Sequence, residues 1–394
     1  MKIPSPFRLT LMLAPMVSAL ALAMDVYVPA IPHMTHCYQV SDNVMLLTLN
    51  LFMLTAGLMQ LIIGPLSDTY GRKKLLYVVT CIFAVGSLLC ALSPSPYFLI
   101  GFRIIQSIGC CGLLVLGFSI VRDCYEGIQS AKIYSYLNGL SSFSPMFAPF
   151  IGSYLDIYFG WRSTFLSLLI IAAANFITLY FFLPETLPKE HRQPLSLKDT
   201  WQTYQLIFHD KTFLTYTAVT CFGLSYLYLF CALSPYLIIR DLNIPQHEYG
   251  YYFFYMGLSF FLGSALCSQL VDKLGIYKTC LLGLFITLLG GIWMASWYFV
   301  NGLTLHGFVY PMLLIGIGGT FCMSAGNGGA MTPFDEHTGT AAALGGTLRF
   351  LFASFTGLIV INDHVASTLP LGLPAIMFSL VGFILFFRMR IKDY

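Results

Sequence analysis

Charge is what this sequence has least of. Only 9% of its 394 residues are Asp, Glu, Lys or Arg, against 57% hydrophobic residues. A water-soluble domain carries roughly 25% charged residues, so this chain lacks the polar surface to dissolve as one. Polar sequence is too scarce for a disordered chain. A net charge of +3 without a dense basic patch excludes nucleic acid as a partner. No Gly-x-x-x-x-Gly-Lys-Ser/Thr loop exists, so the chain carries no ATP-driven engine of that type, and uphill work must draw on an ion gradient. The 11 cysteines form no Cys-x-x-Cys pair, and most sit inside apolar runs, where they read as small packing residues.

What is present is a series of long apolar runs. A membrane-spanning helix needs about 20 apolar residues. Twelve such runs occur, approximate at their ends: 8–30, 44–66, 75–95, 97–121, 132–157, 163–183, 212–236, 249–270, 279–300, 303–325, 339–362 and 370–388. The expected fold class is an all-α membrane protein with 12 transmembrane helices. The first run follows Lys2 and Arg8 and imitates a signal peptide, but Asp25 and two prolines follow it, so it is read as a retained span. With the N-terminus inside, only Arg162 and Arg240 of the 20 Lys and Arg fall outside, and Arg103 and Arg349 fall within spans. The positive-inside rule therefore places both termini in the cytoplasm. His33 and His36 beside Cys37 have metal-like spacing, but they read as a polar loop near a membrane face. No metal or cofactor is expected.

The longest polar stretch, 185–211, divides the chain into a six-span half at 1–184 and another at 212–394. The halves share a pattern. Asp68-x-x-Gly71-x-x-Lys74 follows the second span, and Asp272-x-x-Gly275-x-x-Lys278 follows the eighth. A match at the same place in each half is the mark of an internal repeat.

At these residues the chain resembles the major facilitator superfamily. Gly64-Pro-Leu-Ser-Asp68-Thr-Tyr-Gly71-Arg72-Lys73-Lys74 is similar to that superfamily's loop 2–3 signature. Asp25-Val-Tyr27-Val-Pro29-Ala30 resembles the Asp-Met-Tyr-Leu-Pro-Ala segment of Bcr/CflA drug-efflux transporters. Arg103-Ile-Ile-Gln106-Ser-Ile-Gly109 resembles the Arg-x-x-Gln-Gly-x-Gly motif, with Ser107 where Gly is usual, and Arg122-Asp123 closes that span as in the family. Pro145-Met-Phe-Ala148-Pro149-Phe-Ile-Gly152-Ser153 resembles the antiporter motif of span five, with Ala148 and Ser153 replacing glycines. Gly160-Trp161-Arg162 and Leu183-Pro184-Glu185-Thr186 also fit. The resemblance covers essentially the whole chain. It implies two pseudo-symmetric six-helix bundles, proton-coupled export and a single-chain transporter in a bacterial inner membrane.

Asp25 is the one carboxylate deep within a span; Asp156 and Asp363 lie near span ends, where water reaches. A buried carboxylate is costly when ionised, which is the property a proton carrier needs. Arg103 is the expected partner, because counting from the span ends puts both charges at a similar depth of roughly 7–9 Å. Proton coupling is thus expected at Asp25 and Arg103. Arg349 sits well inside span eleven, where the resembling family commonly shows an uncharged residue; either it faces the cavity and favours an anionic substrate, or it hydrogen-bonds helix carbonyls or a polar neighbour. Tyr27 neighbours Asp25 and is a further candidate for substrate contact, with Asn50 and Asn138 behind it. The resemblance implies that the loop holding Gly64, Asp68, Gly71 and Arg72 latches the halves on the cytoplasmic side. Asp68 can face the positive N-terminus of span eleven around Thr338–Thr340, and Arg72 can pair with Asp123. Pro145, Pro149 and Gly152 can bend span five and let helices approach closely.

The reading is a proton-driven exporter of small amphipathic molecules, alternating between two faces around a mid-membrane site. Its partners are the substrate, protons and the bilayer. The alternative is a dedicated exporter of an endogenous metabolite, such as a siderophore or another carboxylate-bearing compound. An importer fits the Asp25 and span-five signatures less well. An enzyme fits least, since no paired catalytic carboxylates and no Ser/His/Asp set occur at one membrane face.

Overall fold

The structure is a computed structural model. It describes residues 5–125, 127–188, 190, 192, 197–334, 338–361 and 366–392. The expectations for Lys2, Lys189 and Asp363 lie outside the described residues.

Every regular element among the described residues is helical. In lipid a helix satisfies its backbone groups internally, so apolar runs of this length fold no other way. The N-terminal helices are α1 (Pro6–Val17), α2 (Ala19–Asp25), a short turn at Val28–Ala30, α3 (Ile31–Tyr38), α4 (Asp42–Tyr70), α5 (Arg72–Ala91), α6 (Pro96–Cys124), α7 (Gly127–Ser142), α8 (Ser144–Phe159) and α9 (Arg162–Phe181). They are followed by α10 (Leu197–Phe208), α11 (Lys211–Pro235), α12 (Gln246–Asn301), α13 (Leu305–Met331), α14 (Thr338–Ile361) and α15 (Leu369–Lys392).

Ten of the described helical stretches are long and apolar enough to cross a membrane. The difference from the expected twelve has two causes. Gln246–Asn301 is 56 residues long and bends at Gly275 (φ +78°, ψ 164°), so it holds both the eighth and the ninth crossings. The fifth crossing is broken at Phe143 into α7 and α8, each 16 residues and each too short to cross alone. The interruption lies two residues before Pro145, whose missing N–H takes away the bond to the carbonyl four residues back, so it falls where the bend of span five was expected, and α8 runs on through Pro149. The expected loop after span one is also helical, as α3, ended by Gln39 in the left-handed region (φ +53°).

The chain divides into two compact units, 1–197 and 198–394. In the first, α6 packs along α5 and α4, α5 packs on α9, and α8 packs on α2 and the turn at Val28–Ala30. The α5–α6 contact is close enough to need glycine. A Cβ on Gly109 would stand 2.3 Å from the backbone nitrogen of Phe83. In the second unit α13 packs on α12 and α11, α15 on α12, and α14 on α11. Large apolar side chains such as Phe7 and Val300 stay on the outside, as a lipid-facing surface requires.

Candidate functional site

The first span breaks where its carboxylate lies. The second helix ends at Asp25, and Pro29 cannot donate the bond that would carry the helix on. The last carbonyls of a helix have no donor from its own backbone. One of them, on Ala23, accepts from Nη1 of Arg103 at 2.9 Å. The same nitrogen donates to Oε1 of Gln106 at 2.5 Å, and Nε2 of Gln106 donates to Oγ of Ser87 at 2.8 Å. Arg103 is fully buried, with its guanidinium 4.0 Å from the ring centre of Phe52 and 4.3 Å from that of Tyr27. Its Nε and Nη2 have no hydrogen-bond partner among the described residues. The π faces of the two rings stand in for water.

Asp25 is buried, and its carboxylate accepts from Oγ of Ser144, at the start of α8, at 3.1 Å. Asp25 makes no ion pair among the described residues. The expectation that Arg103 partners it is therefore corrected. The break in span one offers the guanidinium a free carbonyl, and the rings hold it there. Tyr27 is buried as well, with its hydroxyl 3.0 Å from Oγ1 of Thr48 and its ring against Arg103. Asn50 is buried on α4, whereas Asn138 is exposed on α7.

Helix α8 meets the broken span at three levels. Ser144 reaches Asp25 at one end. In the middle, a Cβ on Gly152 would lie 1.8 Å from the carbonyl oxygen of Val26, so the two backbones touch there. At the far end Oδ1 of Asp156 is 2.8 Å from Nδ1 of His33 on α3. The expectation that water reaches Asp156 is corrected: its side chain is fully buried, and the half-exposed His33 covers it.

The loop after α4 forms a tight network. Gly71 takes φ +94° and ψ 152°, a backbone that side chains avoid. Arg72, nearly buried, pairs with Asp68 at 2.7 Å and with Asp123 at 2.7 Å, and also reaches Ser67. Its backbone nitrogen donates to Oε1 of Glu185 at 3.0 Å, and Oγ1 of Thr186 donates to Asp123 at 3.2 Å. Asp68, Gly71, Arg72 and Asp123 are thus brought together. Gly64 joins them through its carbonyl oxygen, which accepts from Oγ of Ser67 at 2.7 Å, while a Cβ there would meet nothing within 4 Å.

In the second unit Nη1 of Arg349 donates to Oδ1 of Asn327 on α13 at 2.5 Å. Arg349 makes no ion pair among the described residues. Its backbone lies 11 residues into α14, about 16 Å along the axis, but helical side chains lean back toward the N-terminus. Asn327 is four residues from the end of α13, so the charge sits nearer that end than the backbone of Arg349 does.

Sequence reasoning missed Ser144, Gln106, Asn327 and the His33–Asp156 pair as parts of these constellations. Gln106 carried a signal, being three residues, one helical turn, from Arg103. Ser144 and Asn327 carried none, because their partners are distant in the chain.

A family model described as the Major Facilitator Superfamily matches residues 11–357. The chain is 29% identical over 355 residues to a "Chloramphenicol resistance protein" of Pseudomonas aeruginosa, covering 89% of this chain and 83% of that one. It is 26% identical over 356 residues to a "Bicyclomycin resistance protein homolog" of Haemophilus influenzae, covering 88% and 87%. Among solved structures, a D-xylose-proton symporter superposes with a TM-score of 0.74 at 15% identity, covering 96% of this chain and 97% of that one.

Proposed function

Because the chain belongs to the Major Facilitator Superfamily, a family of membrane transporters, we propose that it exports small amphipathic molecules in exchange for protons, in a bacterial inner membrane. The observation that carries this is the state of Asp25. Its carboxylate is buried, has a neutral hydroxyl as donor and, among the described residues, no cation paired to it. An ionised carboxylate so placed is poorly compensated, and either a proton or a polar group of the cargo relieves it. Exchange follows when the two alternate at one site. The resistance proteins to which the chain is similar support cargo of the drug type.

Arg103 acts beside Asp25 rather than on it. It holds the carbonyl of Ala23 and thereby the break at which Asp25 is displayed. Asn138 and Arg349 keep accessible surface, while Asp25, Tyr27 and Asn50 are enclosed and meet cargo only after a change of state. The network at Arg72 is the latch, the contact of Gly152 with Val26 is the seam against leak, and the bias of Lys and Arg puts both termini in the cytoplasm. The working unit is one chain, with halves 1–184 and 212–394.

The test is proton flux in everted vesicles with an energised pH gradient, challenged with cationic, neutral and anionic compounds. Collapse of the gradient by a compound in wild type alone, and not in Asp25→Asn, is expected. Collapse in both would remove Asp25 as carrier.

A second reading, export of a carboxylate-bearing metabolite, is favoured by Arg349, a membrane cation with no carboxylate paired to it among the described residues. In that case Arg349→Gln abolishes the preference for anionic over cationic compounds of equal size. An unchanged preference would reject it.

A further inference from the structure

We propose that His33 and Asp156 form a second proton-binding site, at the external end of the N-terminal unit and separate from Asp25. The word external rests on the orientation proposed above. The proposal starts from a mismatch of exposure. The Asp156 side chain is fully shielded, whereas 45% of the His33 side chain is open, and Nδ1 and Oδ1 are 2.8 Å apart. A carboxylate removed from water needs hydrogen bonds or a cation. An open imidazole is the side chain that changes charge in the physiological range. Together they make a buried acceptor with a titratable cover.

The chemistry balances with one proton. An ionised Asp156 selects the imidazole tautomer with hydrogen on Nδ1, which donates to Oδ1. Nε2 then carries the free lone pair. Uptake of a proton from external water at Nε2 turns a neutral hydrogen bond into an imidazolium–carboxylate pair, and loss of that proton restores the neutral ring.

Few other charges compete at this end. On α3 itself stand His36, Cys37 and Tyr38, and on α8 stand Tyr154 and Tyr158. Arg162 opens α9, where its guanidinium lies 4.2 Å from the ring centre of Trp161 and donates to the carbonyl of Ser93 at 3.4 Å. Asp42 opens α4, Asp25 ends α2, and the turn at Val28–Ala30 has no titratable group. Lys132 is on α7, beyond the other end of α8.

The placement gives the site a purpose. Ser144 and Asp156 are on one helix, 12 residues or about 18 Å apart. Their partners, Asp25 and His33, are on the two pieces of the broken first span. Charging His33 tightens the joint between α3 and α8 while Asp25 is held by the other end of the same helix. External protons thus act on span one at two points, and the exchange rate carries a response to external pH that does not come from Asp25.

The decisive experiment is nitrogen NMR of the histidine rings in the full chain in lipid nanodiscs, with His33→Gln to assign the signal. The midpoint of the His33 ring signal is read against pH in wild type and the variants. Asp156→Asn moves that midpoint by at least about half a unit, and Asp25→Asn leaves it in place, so a failure of the carrier reading would not hide the site. A His33 titration that is the same in wild type and Asp156→Asn would overturn the proposal. The functional arm uses proteoliposomes with internal pH fixed and ethidium as cargo. Lowering external pH from 8 to 6 accelerates exchange about threefold more in wild type than in folded His33→Gln. Identical external-pH profiles would overturn it as well.

Discussion

The two loops that follow the second and eighth spans share a pattern and a backbone, yet only one of them is a charged network. Gly71 and Gly275 take nearly the same conformation, φ +94° against +78° and ψ 152° against 164°. Around Gly71 the sequence adds Arg72, and Asp68, Asp123, Glu185 and Thr186 gather on it. Around Gly275 the equivalent position is Ile276, and neither Asp272 nor Lys278 makes an ion pair among the described residues. The repeat therefore preserves the turn and not the chemistry. Backbone geometry needs one glycine, whereas a network needs several residues from remote parts of the chain to agree.

The largest test of that contrast removes the cation. Arg72→Ala leaves Asp123 largely shielded with no positive partner, and breaking such a pair costs about 3 kcal/mol or more. In the other loop Lys278→Ala stays within about 0.5 kcal/mol, as expected for a surface residue without such features. Unfolding in a mixed-micelle denaturant series compares the two directly. Equal losses would mean that Arg72 is anchoring charge, not the centre of a network.

A smaller effect separates the shared turn from its surroundings. Alanine at either glycine is strained by about 1–3 kcal/mol, because that backbone region excludes a Cβ. At Gly275 the new Cβ meets open space, but at Gly71 it would stand 2.5 Å from Nη2 of Arg192 and 2.7 Å from Oε2 of Glu185. Those two side chains form an ion pair at 3.4 Å and must give way. Gly71→Ala is accordingly the more destabilising of the two. The reverse order, measured in the same series, would show that Arg192 and Glu185 move aside freely.

How much of this was legible depends on whether a feature is local. The spans were legible because about 20 apolar residues have one solution in lipid, and the turns at Gly71 and Gly275 because the repeat displayed them. Arg72 with Asp123 was legible from the motif residues. The interruption at Phe143 was legible from Pro145 two residues on, whereas the unbroken run of α8 through Pro149 was not. The partner of Asp25 was misjudged for a different reason. Depth counting ranks charges, and it cannot see that a broken helix offers a carbonyl to Arg103 or that Ser144, 119 residues away, faces the carboxylate. Asp156 was placed by its distance from a span end, and burial by α3 does not follow from that distance.

Two helix contacts, α4 with α6 in unit one and α12 with α13 in unit two, also close differently, and this sets the smallest prediction. Unit one joins α4 to α6 through side chains on carbonyls: Oγ of Ser107 donates to the carbonyl of Phe52 at 2.6 Å, and Sγ of Cys111 to that of Ala56 at 3.1 Å. Unit two brings α12 against α13 through glycines, and a Cβ on Gly318 would lie 2.4 Å from Oγ1 of Thr287 and 2.6 Å from the carbonyl oxygen of Gly283. A hydrogen-bonded contact tolerates trimming. The carbonyl of Phe52 lies within α4 and keeps its helical donor, so Ser107→Ala deletes one bond without leaving an orphan and costs about 1 kcal/mol. A glycine contact does not tolerate filling. Gly318→Ala forces two backbones apart and costs about 1–3 kcal/mol. If Ser107→Ala proved the worse of the pair, the serine that stands where the resembling motif has glycine would be holding α4 and α6 together rather than fitting between them.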